Sequence, residues 1–193
     1  MAHMFESGFF VRQAAWHELG NVLENEPDVV HAFQASGLDW SVLRSPLSFE
    51  YNGEMKSGDI NALVRNTDGS VLGHCRERYE IFQNKQAFDW CQPLVESDLW
   101  RFETAGALKG GQICWTLLKQ GEVELIPKDY LKQYLLLTWS HDGTKAVQVR
   151  PTTIRVVCNN TLTVALRETG MCNKIRHTIN MIPRLDELRP SRR

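Results

Sequence analysis

Hydrophobic and polar positions alternate over most of the chain, which is typical of strands that bury one face. The alternation predicts strands over 40–51, interrupted at Pro46, and over 60–65. The sequence Asn-Thr-Asp-Gly at 66–69 predicts a tight turn into a third strand, 71–82. Further strands are predicted over 100–108, 112–118, 130–139, 145–149 and 152–158.

Helical spacing is confined to three short segments, 27–37, 84–94 and 159–166. Asp28 begins the first, and Asn84 is a candidate N-cap of the second, which Pro93 would kink or end. Asn159 or Asn160 would cap the third. The predicted fold class is α+β, a mainly antiparallel sheet of meander and hairpins with a few short helices.

The chain has 193 residues, 42% of them apolar, which suits one core with few appendages. We predict an N-terminal arm over 1–25, a single α+β domain over 26–180 and a basic C-terminal tail over 181–193. No apolar run approaches the roughly 20 residues of a membrane span, and no export signal is evident. Five cysteines without C-x-x-C spacing are expected to be reduced thiols. These features favour a cytoplasmic protein that binds no membrane.

The net charge of −1 conceals an asymmetry along the chain. From Lys145 onward ten basic and three acidic residues give +7, which leaves −8 for residues 1–144. Such a split indicates a basic surface for a polyanion, although an ordinary solvated face with a basic tail is the alternative.

The segment 150–161 favours a phosphate pocket, because an arginine on a strand beside a helix start combines a bidentate cation with free N–H groups. The alternative is that Arg155 pairs with an internal carboxylate and that the asparagines only cap the helix. The candidate nucleic-acid-binding residues are Arg150, Arg155, Asn159, Asn160, Thr161, Arg167, Lys174, Arg176 and His177.

No phosphate-binding loop, dinucleotide fingerprint, zinc-protease or nucleophile-elbow motif is present, so no catalytic residue and no cofactor is predicted. His141 and Asp142 could serve as metal ligands, but an Asp-Gly pair between two strands is also typical of a tight turn or a polar binding loop. We therefore predict no metal site.

Aromatic residues are abundant, and most occupy inward-facing strand positions, where core packing explains them better than base stacking. Trp16 and His17 are different because they lie in the predicted arm. They are candidates for a contact with a partner or for a lid over the sheet.

Several motifs together resemble a known family, the phage/plasmid-like proteins grouped as domain of unknown function 932. The matching stretches are A-W-H-E-L-G, G-L-D-W, L-G-H-C-R-E-R-Y-E-I-F-Q-N, T-A-G-A-L-K-G-G-Q-I-C-W, L-L-L-T-W-S-H-D-G, R-V-V-C-N-N-T-L and I-R-H-T, within about residues 1–180. Ala15 and Glu18 replace the proline and glycine usual in the family. The resemblance implies a mobile-element context and no established activity. By fold-level analogy the chain also resembles the single-strand annealing recombinases of phages.

The leading hypothesis is a non-enzymatic, oligomeric protein that binds single-stranded DNA in recombination, annealing or replication. One alternative is a protein-binding module that inhibits a host defence or replication factor. Another is a metal-dependent nuclease built around His141, Asp142 and His177.

Overall fold

In the computed structural model, the described residues are 4–14, 19–120, 123–126 and 129–190, without the side chains of 123–131. They form twelve strands: β1 (Phe5–Val11), β2 (Asn21–Leu23), β3 (Val42–Tyr51), β4 (Glu54–Arg65), β5 (Val71–Arg76), β6 (Trp100–Leu108), β7 (Ile113–Gln120), β8 (Val123–Ile126), β9 (Asp129–Leu131), β10 (Tyr134–Ser140), β11 (Val147–Thr152) and β12 (Asn173–Ile175). The helices are α1 (Val29–Ala35), α2 (Asn84–Glu96), α3 (Asn159–Arg167) and α4 (Met181–Asp186).

A seven-stranded sheet with the order β12-β11-β10-β7-β6-β1-β2 forms the centre of the molecule. Only its β1–β2 pair is parallel. Strands β3, β4 and β5 form a second, antiparallel sheet, and β8 pairs with β9. The predicted α+β class with mainly antiparallel sheet is confirmed. No helix in the described part of the chain is long and apolar enough to cross a membrane.

Alternate side chains of the central strands enter two separate hydrophobic clusters. The larger cluster contains Cys114 and Leu137 of the sheet together with side chains from α2 and α4. The smaller contains Trp115 and Leu136 with Leu162 of α3. Because period-2 alternation sends neighbouring residues to opposite faces, α3 covers one face of the sheet and α2 and α4 cover the other.

Local signals in the sequence predict several elements correctly. Asp28 caps α1 by accepting a hydrogen bond from the His31 N–H at 2.8 Å. The Asn-Thr-Asp-Gly turn joins β4 to β5, with Gly69 at φ +73°. Pro46 lies within β3 next to a register shift, as a proline in an edge strand should.

Other elements have bounds that differ from those the sequence predicts. Residues 5–11 of the predicted arm form β1, a buried strand inside the sheet. Residues 181–186 of the predicted tail form α4, whose Met181 and Leu185 are buried in the larger cluster. Helix α2 does not end at Pro93 but continues to Glu96, so of the two predicted effects of this proline only a kink remains. The strand predicted over 71–82 ends at Arg76, and the strand predicted over 152–158 is absent beyond Thr152.

Candidate functional site

Arg150, on β11, is only 3% exposed and completes the C-terminal end of α3. Its Nη1 donates to the carbonyl oxygen of Ala165 and its Nη2 to that of Glu168, both at 2.8 Å. These carbonyls lie at the partly negative end of the helix, which offsets the buried positive charge. The guanidinium therefore holds α3 against the sheet and faces no solvent.

Arg155 lies in the loop between β11 and α3, not on a strand, so the predicted alternation around it is wrong. Its Nε donates to the carboxylate of Glu103 on β6. Its Nη2 donates at 3.1 Å to the carbonyl oxygens of Val11 and Gln13 at the end of β1. The structure thus has the internal ion pair that was the alternative to a phosphate contact.

The start of α3 is capped by other residues than predicted. Cys158 occupies the N-cap position, and Thr161 Oγ1 accepts from the N–H groups of Val157 and Cys158 at 2.9 and 3.0 Å. Asn159 and Asn160 are the first two residues of the helix, so neither is its N-cap. The N–H groups just before the helix are therefore occupied by Thr161 itself.

His177 is also part of the fold. Its ring stacks on that of Tyr79 with centroids 4.5 Å apart, and its Nδ1 and Nε2 lie 3.0 and 3.2 Å from the carbonyl oxygens of Glu80 and Lys145. Burial lowers the pKa of His177, and the two carbonyl contacts oppose that shift. The histidine joins the segment after β5 to the turn between β10 and β11.

Three of the candidate cations remain exposed: Arg167, Lys174 and Arg176. Lys174 and Arg176 flank Ile175, which is buried on the α2 and α4 side of the sheet. Alternation along β12 sends Lys174 to the face that α3 covers, and Arg176 is the first residue after the strand. None of the three has an ion-pair partner among the described residues. We call these three residues the cationic patch.

Pairing across β11 and β12 relates the cationic patch to α3. Lys174 lies opposite Gln148, two residues before Arg150 on the same strand and face. Since Arg150 contacts the last turn of α3, Arg167 at the end of that helix lies on the same side of the sheet. The nearest acid in sequence, Glu168, directs its carboxylate to the hydroxyls of Thr152 and Thr153. It does not neutralise Arg167.

His141 is 1% exposed, and its Nε2 lies 2.8 Å from Oδ1 of Asn84. Burial lowers its pKa to about 3. Asp142 Oδ1 accepts hydrogen bonds from the N–H and Oγ1 of Thr144. The segment is thus a tight turn next to a buried, neutral histidine. Within the described ranges no three His, Cys, Asp or Glu residues are grouped as metal ligands.

The aromatic residues divide as core packing predicts, with one exception that sequence reasoning missed. Five tryptophans are at most 8% exposed: Trp40, Trp90, Trp100, Trp115 and Trp139. Phe49 and Tyr51, near the tip of the β3–β4 hairpin, are 53% and 56% exposed. Their period-2 spacing is also typical of a buried strand face, so exposure could not be inferred from it. Trp16 and His17 lie outside the described residues.

The family described as "Domain of unknown function (DUF932)" matches residues 71–191, more than half of the chain. No curated protein and no solved structure matches this chain. The matched segment contains β5 to β12, α2 to α4 and all three residues of the cationic patch.

Proposed function

The chain belongs to the DUF932 family, and we propose that it is a non-enzymatic nucleic-acid-binding protein that binds single-stranded DNA through its phosphates. The observation that supports this most is the cationic patch, three exposed cations at the end of α3, on β12 and directly after β12, without carboxylate partners in the described part of the chain. Such cations attract a polyanion without sequence preference, because a phosphate carries the same charge in every nucleotide.

The proposed contact surface is smaller than the basic quarter of the sequence suggests. Arg150 and Arg155 make internal contacts, so their role is to position α3 and the loop before it. Arg167, Lys174 and Arg176 then carry the phosphate contacts. The surrounding role we propose is recombination, strand annealing or replication on a phage or plasmid, in the cytoplasm and as a homo-oligomer.

The test is a salt titration of binding to a fluorescently labelled single-stranded oligonucleotide. Three phosphate contacts should give a slope of about −2 in log K against log salt, since each contributes about −0.7 on a single strand. Replacement of Lys174 or Arg176 by Ala should weaken binding and reduce the slope by about 0.7 per residue.

Arg184→Ala is the matched control, because Arg184 is an exposed arginine on α4, across the sheet from α3. It should leave both affinity and slope unchanged. Binding that is independent of salt, or equal loss in the control and patch variants, would contradict the proposal. A duplex of the same length measures the preference for single strands.

A further inference from the structure

The distal part of the β3–β4 hairpin stands apart from the rest of the molecule. Strand β5 pairs with β4 only from Ile60 to Val64, so the hairpin continues beyond it to the turn at Asn52 and Gly53. Every residue from Leu43 to Ile60 is exposed. We call residues 43–60 the β-arm. Arg44 holds the base of the arm by donating to the carbonyl oxygens of Glu77 and Tyr79. A two-stranded hairpin by itself is marginally stable in water, so the part of the arm beyond this base is well suited to pack against a partner.

The β-arm exposes large apolar side chains on both faces. Phe49 and Tyr51 lie on one face and Met55, 69% exposed, on the other. Leu43, Leu47 and Ile60 add to the exposed apolar surface. Large apolar side chains exposed together on one element mark an interaction surface. Bases of a nucleic acid can stack on aromatic rings such as Phe49 and Tyr51. They make no comparable contact with an aliphatic side chain such as Met55 on the opposite face of the hairpin, so a protein partner fits better.

The charges of the β-arm also favour a protein. Its three acidic residues and two basic residues are interspersed, so the arm offers a polyanion no positive field. The acids are Glu50, Glu54 and Asp59, and the bases are Arg44 and Lys56. A second surface with the same interspersed acidic and basic residues can place each charge opposite one of the other sign.

The outer edge of β4 is where a further strand can pair. Residues Glu54–Ser57 pair with β3 on one side, and on the other side β5 begins its pairing only at Ile60. The opposite edge of the hairpin, β3, contains Pro46, which has no N–H to donate. An unpaired edge with apolar neighbours is a template for strand addition.

We propose that the β-arm joins two copies of this chain by antiparallel pairing of their β4 edges, centred on Met55. This register places Glu54 of each copy opposite Lys56 of the other and Met55 opposite Met55. In this register Asp59 lies opposite the tip of the other arm. Because β5 pairs with β4 only from Ile60 onward, the other copy ends before it would meet β5. The interface is isologous, with the same patch used by both copies.

The first experiment is sedimentation velocity of the full chain without nucleic acid, so that its result does not depend on DNA binding. The wild type is expected to dimerise reversibly. Met55→Ser should weaken the dimer roughly tenfold or more, as loss of a central apolar contact does. Met171→Ser is the control, because Met171 is 72% exposed outside the arm. A monomeric wild type at high micromolar concentration would overturn the proposal, as would equal effects of the two substitutions.

The second experiment tests the register with exposed residues, whose replacement leaves the folded core intact. Lys56→Glu should weaken the dimer because it sets Glu54 of one copy against a new carboxylate of the other. Adding Glu54→Lys exchanges the two charges and should restore dimerisation. If the double variant does not regain dimerisation, the pairing is refuted. If the wild type is monomeric and Phe49→Ser abolishes DNA binding, the arm contacts another partner and the pairing is also refuted.

Discussion

The Nε2–H of His141 donates to Oδ1 of Asn84 over 2.8 Å, linking the turn after β10 to the first residue of α2. The same oxygen accepts from Trp139 Nε1 at 3.0 Å. On its other side, Asn84 Nδ2 donates to the carbonyl oxygens of Leu38 and Trp40. One buried amide thus connects α2 and the segment 38–40 to β10 of the central sheet.

Asn84→Ala is expected to destabilise the protein by about 2–4 kcal/mol, because it leaves several buried donors and acceptors unpaired. Equilibrium urea unfolding, followed by tryptophan fluorescence, measures the change in free energy. Replacement of the exposed Asn160 by Ala should change it by less than about 0.5 kcal/mol. A similar small effect at Asn84 would show that this network contributes little.

Stability should fall as the pH drops below about 6.5. Burial lowers the pKa of His141 to about 3 and also lowers that of His177 in the folded protein. Above pH 6.5 both are neutral in both states, so they add no pH dependence. Below pH 6.5 the two histidines bind protons in the unfolded chain but not in the folded chain. For each histidine, the free energy of unfolding then falls by up to about 1.4 kcal/mol per pH unit. For His141 this loss continues down to about pH 3.

The measurement is the unfolding free energy between pH 7 and 5. His177→Gln should make the curve less steep, because one of the two titrating groups is gone. A steepness equal to that of the wild type would mean that His177 has a similar pKa in the folded and unfolded states.

The ion pair of Arg155 and Glu103 gives a prediction that separates stability from binding. Arg155→Ala should destabilise the protein by about 2–3 kcal/mol, because it leaves a largely buried carboxylate unpaired. It should leave affinity for single-stranded DNA unchanged. Arg101→Ala, which removes an exposed pair with Asp98, should cost under about 1 kcal/mol. Weaker DNA binding by folded Arg155→Ala would place this arginine in the interface after all.

Gly73 on β5 lies against the turn that carries His141 and Asp142. A Cβ at this position would come within 2.5 Å of Asp142 Cα and 2.8 Å of the His141 carbonyl oxygen. Gly73→Ala is therefore expected to cost on the order of 2–4 kcal/mol, because backbone must move. Gly170→Ala has open space around it and should be neutral or slightly stabilising. Thermal unfolding of both variants decides the matter, and a neutral Gly73→Ala would show that the two segments separate easily.

Elements specified by short-range signals could be predicted from the sequence. Asp28 caps the helix that follows it, and the turn at 66–69 fixes its own hairpin, since both depend on residues only a few positions apart. Strand β1 was missed because Phe9, Phe10 and Val11 are consecutive buried residues in a sheet covered on both faces, which removes the alternation that marks a strand.

The candidate site was predicted less well, for a different reason. Whether a guanidinium faces solvent depends on partners far away in sequence. Arg155 is 52 residues from Glu103 in sequence. Arg150 binds carbonyl oxygens that accept no hydrogen bond within α3, because the helix ends there. Charge counting treats such buried arginines and the free cations of the patch alike. Only the packing of the sheet against α3 distinguishes them.

The contact of Arg155 Nη2 with the carbonyl oxygen of Val11 spans 144 positions of the chain. Strand β1 leaves the ribosome about a hundred residues before its neighbour β6, and Arg155 follows later still. Contacts between such distant segments form slowly, and until then the phenylalanines of β1 remain uncovered. During synthesis, the apolar side chains of β1 are therefore open to aggregation until the segment up to Arg155 has emerged.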